Sequence, residues 1–142
     1  MVKYDPFVAQ DFIYEVANWK LYCNSVLSCD YSLNALSFQQ CEPFRNLFDM
    51  GVEILPYVHQ GVSNPVIGAF PLFGWSALVR EIVGDTNYVV PSEIKGKLHP
   101  IRLYVKNWLE QEGNVLDETL DVKIFREKLQ DIYDLVDITY DI

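Results

Sequence analysis

Two histidines, His59 and His99, and three cysteines, Cys23, Cys29 and Cys41, are the side chains of this 142-residue sequence suited to proton transfer, nucleophilic attack or metal ligation. A thiol enzyme would set a cysteine against an imidazole that lowers its pKa. Cys41 is the best placed of the three, because Glu42-Pro43 follows it and a proline there opens a helix whose N-terminus favours a thiolate. A small metal-dependent enzyme would draw on His59, His99 and Cys41 together. Their spacing speaks against it, since no pair has the short separation of structural zinc ligands. His59 falls near the expected end of a helix, where the dipole favours a cation, and His99 precedes Pro100 at a helix start. Both placements have structural grounds, and a small buried hydrophobe is the plain reading of each cysteine.

Other chemistries find less support. Gly61, Gly68, Gly74 and Gly84 are scattered, with no Gly-Lys-Ser or Gly-Lys-Thr step to cradle a phosphate. The carboxylate pairs Asp117 with Glu118 and Asp131 with Asp134 read as a solvated helix face. No cofactor and no metal are expected. Twenty acidic against 11 basic side chains give a formal charge of -9. That balance suits neither a phosphate backbone nor an anionic membrane, so no nucleic acid and no membrane are expected as partners. The charge is unevenly placed: residues 110–142 carry 10 acidic and 3 basic side chains, whereas residues 1–109 are nearly neutral. No apolar run approaches a membrane span, and Met1 to Pro6 lacks the apolar stretch of a secretory leader. An odd number of cysteines without zinc spacing then reads as reduced thiols in the cytoplasm.

The elements that would position these residues are helices. Asp5-Pro6 is a cap followed by a first-turn proline, and Val8, Phe12, Val16 and Trp19 recur at helical spacing, which predicts a helix over 6–22. Polar residues over 23–31 should interrupt it, with a short helical turn following near 32–38. Glu42-Pro43 opens a helix closed by Gly51, and a second short helix with Pro56 in its first turn should end at Gly61. Two short helices joined at a glycine predict an antiparallel hairpin. Residues 63–74, with two prolines and two glycines, read as an ordered loop. Trp75 to Val83 forms a helix with Trp75, Leu78, Val79 and Ile82 inward and Arg80 and Glu81 outward, capped by Gly84. Tyr88-Val89-Val90 is an extended link, and a helix from His99-Pro100 stops at Gly113. Val122, Phe125, Leu129, Ile132 and Val136 are spaced three, four, three and four, the best amphipathic stripe in the chain. The expectation is an all-α fold of about six helices: a helical body over 1–113 and an acidic C-terminal amphipathic helix over 114–142 packed on it, a single domain overall.

Across the middle of the chain Pro43-Phe44-Arg45-Asn46-Leu47, Met50-Gly51, Ile54-Leu55-Pro56, Trp75-Ser76-Ala77-Leu78, Glu81-Ile82-Val83-Gly84, Gly96 and Trp108-Leu109 follow in order. This set resembles a family of small bacterial all-helical proteins similar to HEAT-type helical hairpins. The resemblance covers roughly residues 27–109. It implies short helical hairpins and carries over no catalytic residue. Val83 stands where threonine is usual, the loop over 62–74 is longer than expected, and the acidic tail after Gly113 lies outside it.

Helical hairpins, an acidic face and no catalytic signature together suggest a non-enzymatic protein-interaction or adaptor module. Its partner would be a protein, one of basic character suiting the acidic face, such as a nucleic-acid-binding protein or a toxin that it neutralises. Partner contacts are expected from Trp75 and Arg80, residue types over-represented at interface centres, and from the acidic Asp131 and Asp134. The C-terminal stripe also permits a dimer, but a monomer with that helix as a lid is preferred, because an isolated helix of this length is marginal in water.

Overall fold

The computed structural model describes residues 1–29, 39–69 and 73–141, and the side chains of these except at 26–29 and 136–141. In chain order the helices are α1 (Pro6–Cys29), α2 (Glu42–Met50), α3 (Leu55–Val62), α4 (Pro65–Ala69), α5 (Gly74–Val83), α6 (Leu98–Gln111) and α7 (Leu120–Asp141). Six of them have eight residues or more, α4 is a single turn, and 3-10 turns occupy Gly51–Ile54 and Ser92–Ile94. The fold is all-α. Among the described residues the β-type pairing is one parallel bridge, Val2 with Leu116.

The helix ends follow local chemistry. Asp5 Oδ1 accepts from the Phe7 amide at 2.9 Å, capping α1 ahead of its first-turn proline. Gly51, Gly84 and Gly113 stand at φ of 75°, 94° and 79°, closing α2, α5 and the turn after α6 as only glycine does without strain. Three boundaries differ from expectation. Helix α1 continues seven residues past Tyr22, because Cys23 and Asn24 are buried against the body and packing overrides the polar residues' preference for a break. The turn expected over 32–38 lies outside the described residues. Within the segment read as a loop, Asn64 Oδ1 accepts from the amides of Val66 and Ile67, at 2.9 and 3.2 Å, and nucleates α4.

Gly61 does not stop α3 but lies inside it, where a Cβ would rest 3.5 Å from the Trp75 ring. The hairpin expected from α2 and α3 is also redistributed: α2 lies chiefly on α1 and α5, while α3 lies chiefly on α6. Every residue of α3 is buried, so this short helix is the axis of the protein. Around it the inward stripe of α1 (Phe12, Val16, Trp19) meets Tyr57, Trp75 and Phe125, with ring centroids 5.3–6.2 Å apart and several pairs edge to face.

Helix α7 packs along α1, the most extensive helix pairing in the fold. Val122, Phe125 and Leu129 are buried as their spacing predicts; the inward position then passes to Tyr133, with Ile132 half-buried, and the Val136 side chain lies outside those described. The body and the C-terminal segment are also tied at the chain's start, where the Val2 amide donates to Val115 and Val2 accepts from Asp117, at 2.7 and 2.9 Å.

Two predictions test this packing. At Gly68 a Cβ would stand 2.8 Å from Arg102 Cδ and 2.9 Å from Val62 Cα. In urea unfolding Gly68→Ala is expected to cost about 1–3 kcal/mol through overpacking, whereas Gly61→Ala, in ordinary contact, shifts stability by less than about 1 kcal/mol. A chain ended at Gly113 uncovers the Phe12 and Tyr57 side of the core, which Phe125 covers; loss of the cooperative transition and of solubility is expected, and a soluble, cooperatively folding truncation would contradict the packing.

Candidate functional site

His59 sits on α3, nine-tenths buried, with Nε2 3.0 Å from Glu110 Oε1 on α6. Lys106 Nζ lies 2.7 Å from the same oxygen, one helical turn before Glu110. The hydrogen bond from Lys106, and then that from His59, hold the Glu110 carboxyl below its ordinary pKa. His59 Nδ1 is buried and has no hydrogen-bond partner among the described residues. The imidazole is therefore best satisfied as a donor through Nε2 to the carboxylate, with Nδ1 bare. Beside it a cleft of about 470 Å³ is lined by Gln60, Ser63, Asn64, Glu118 and Arg126. Arg126 closes its far side, with Nε 2.6 Å from Gln60 Oε1 and Nη2 on the Glu118 carboxylate.

The other two residues of the expected triad have different surroundings. His99 is exposed in the first turn of α6, its Nδ1 3.3 Å from Arg102 Nη2. Cys41 occupies the N-cap of α2 and lines a separate cleft with Phe44, Arg45, Phe48 and Glu81. Burial pushes its thiol pKa up, only partly offset by the Phe44 amide, and burial pushes the Cys23 thiol up further. Both thiols are thus held protonated, the reverse of what a nucleophilic cysteine needs. Among the described residues no three His, Cys, Asp or Glu side chains gather closely enough to hold a metal ion.

The four residues expected to meet a partner divide. Trp75 is a correction: it is 2% exposed, its Nε1 donates to the Ile67 carbonyl at 2.9 Å, and its ring packs edge-on to Trp19. Its indole fills the core beside Gly61, so it presents no surface. Arg80 is half exposed and stands 3.6 Å from Asp85. Asp134 is exposed and accepts from Gln130 at 2.9 Å. Asp131 is exposed on α7 and lines a groove.

That groove, of about 530 Å³, runs between α1 and α7. Its lining is apolar from Tyr4, Pro6, Ala9, Ile13 and Ile132, with Gln10, Lys128 and Asp131 at the polar edge. The Tyr4 hydroxyl is raised in pKa, first by burial and then by the charges of Asp121 and Asp5, which places two more acids at this end. Large apolar side chains stand exposed on both bordering helices: Phe7 at 79%, Tyr14 at 65% and Leu21 at 44% on α1, with Ile124 at 40% and Leu135 at 56% on α7. Sequence reading missed the α1 residues. Their signal is the seven-residue spacing of Phe7, Tyr14 and Leu21, hidden beside the stronger inward stripe of the same helix.

The fold and its surface thus define an all-helical protein with an apolar groove whose polar edge is Gln10, Lys128 and Asp131. Compared with known protein families, curated proteins and solved structures, the chain matches none of them.

The Glu110 link carries a pH dependence of definite sign. A carboxyl whose folded pKa lies below its unfolded one stabilises the fold above the ordinary carboxylate range and loses that contribution as pH falls through the folded value. Glu110→Gln is accordingly expected to be less stable than the native chain at neutral pH, with the gap closing in acid. Urea unfolding of both chains across this range reads it; a gap independent of pH would refute the link.

Proposed function

We propose that this chain is a non-enzymatic interaction module that holds a protein partner in the groove between α1 and α7. The observation that carries the reading is the pairing of an apolar floor with a polar edge of Gln10, Lys128 and Asp131, on two long helices that expose aromatic and aliphatic side chains. Contiguous exposed apolar surface edged by polar residues is what protein-binding faces present. Burying Tyr4, in the groove's lining, would supply an aromatic anchor of the kind that dominates interface energetics. The excess of acids over residues 110–142 favours a partner of opposite charge. A reducing cytoplasmic setting for the buried Cys23 thiol is in keeping with such a role. We read the free chain as a monomer, because α7 lays its amphipathic stripe on its own α1.

Photo-crosslinking at Gln10 and at Asp131, with exposed Lys95 on the far side as control, tests the reading in cells of the native host. A stoichiometric adduct with one protein is expected at both groove positions, absent at Lys95 and weakened by added salt. Equal labelling at all three positions, or none at the groove, would sink it.

A further inference from the structure

The charged residues of α1 are Asp11, Glu15 and Lys20, and Lys20 is buried. What the helix shows to solvent is therefore a pair of acids four residues apart on one face. Both line a cleft of about 160 Å³ between α1 and α2, together with Tyr14, Asn46 and Met50. Tyr14 is largely exposed and Met50 half-buried. Asn46 Nδ2 donates to Glu15 Oε2 at 3.1 Å, which steadies that carboxylate. Among the described residues no Lys, Arg or His is ion-paired with either acid.

Like charges four residues apart on a helix repel, so a cation seated between Asp11 and Glu15 relieves a cost that the free chain carries. The cleft has room for one side chain and is far too small for a helix, which with its side chains is about 10–12 Å across. A planar guanidinium stacks on an aromatic ring while its N–H groups reach carboxylates in its own plane, whereas an ammonium is a compact point charge. Tyr14 supplies the ring, Asp11 and Glu15 the carboxylates, and Met50 an apolar wall for the methylenes of the stem. The cleft also adjoins the groove between α1 and α7. Gln10 lines that groove and the next residue, Asp11, lines the cleft, so a protein seated in the groove meets the cleft across the outward face of α1.

We infer that the cleft between α1 and α2 seats an arginine side chain of the partner protein, with its guanidinium between the Asp11 and Glu15 carboxylates and against the Tyr14 ring. The inference rests on the interaction-module reading and adds to it one residue of the partner and the place where it sits. Arginine and aromatic side chains are the pair most often found at the energetic centre of an interface. The two carboxylates reject a neutral side chain of the same shape, so the cleft supplies selectivity and register.

Nuclear magnetic resonance titration of the full chain at constant ionic strength tests it with three capped tripeptides, acetyl-Gly-X-Gly-amide. X is arginine, lysine, or citrulline, which keeps the shape of arginine without its charge. The arginine peptide is expected to give saturable shifts centred on Asp11, Tyr14, Glu15, Asn46 and Met50. Lysine should bind about threefold more weakly, and citrulline should give no saturable shift. Asp11→Asn combined with Glu15→Gln should weaken arginine binding about tenfold. Circular dichroism checks the fold of that double variant, and the citrulline comparison needs no variant. Equal shifts from citrulline overturn the inference, as do arginine shifts that ignore the double substitution or spread over the acids of α7. In the host, the double substitution should also weaken the adduct captured from Gln10. Undiminished capture at Gln10 and Asp131 means that the interaction reading stands and the arginine seat is wrong; no capture at either position sinks both. If the chain itself dimerises and the double substitution makes it monomeric, the arginine is its own and the inference falls.

Discussion

A helix buried on every side cannot solvate its own polar groups, and α3 is such a helix. Its His59 and Gln60 side chains and the carbonyls of its last turn must find partners within the protein, and each partner comes from a different place. Glu110 on α6 takes His59, Arg126 on α7 takes Gln60, Arg102 on α6 donates to the Val62 carbonyl at 2.7 Å, and Ser63 Oγ donates to the His59 carbonyl at 2.7 Å. Leaving any one of these unsatisfied would cost about 1–3 kcal/mol. The positions of α6 and α7 relative to the core follow from these bonds as much as from apolar packing.

The same axis organises the glycines and aromatics. Trp75 on α5 packs over Gly61 of α3, where even a Cβ would make ordinary contact, whereas the Arg102 stem passes beside Val62 only because Gly68 has no side chain. Tyr57 reaches outward from α3 to the start of α1, where its hydroxyl accepts from the Asp5 amide at 2.8 Å. Asp5 in turn caps α1. Thus one buried helix fixes where the first helix begins, and α1, once placed, offers the wall on which α7 lies. Because α1 turns Phe12 to Tyr57 of α3 and Trp19 to Trp75 of α5, its opposite face, with Phe7 and Tyr14, is left to solvent.

Much of this was legible in the sequence because it is local. Gly51, Gly84 and Gly113 at helix ends, Asp5-Pro6, and the spacing of Val122, Phe125 and Leu129 each report on a few neighbouring residues, and the structure has them where the pattern puts them. The misses share a physical cause in tertiary partnership. Asn24 reads as a helix interrupter until the body covers it, Asn64-Pro65 reads as loop until its cap is seen, and Trp75, read both as an inward residue of its helix and as a partner contact, lies buried against Trp19. The candidate site was less legible than the fold. Asp131 was visible as charge, but the apolar stripe of Phe7, Tyr14 and Leu21 gains meaning only once the inward face of α1 is assigned.

The charge imbalance also changes character when the cations are located. Lys20 is buried with its ammonium 3.7 Å over the Tyr133 ring, and Arg102 is buried against α3. Neither can meet a visiting protein. Arg126 and Lys106 face solvent in part, yet each is committed to a carboxylate, Glu118 or Glu110. Among the described residues two of the cations lie inside and no acid does, while each ion pair cancels within itself, so the exposed surface carries a larger acidic excess than the sequence total conveys. Interior polar satisfaction and exterior charge are thus one problem: the basic residues that α3 and the core require are subtracted from the surface, and the acids left behind set the sign of what can dock beside Phe7 and Tyr14.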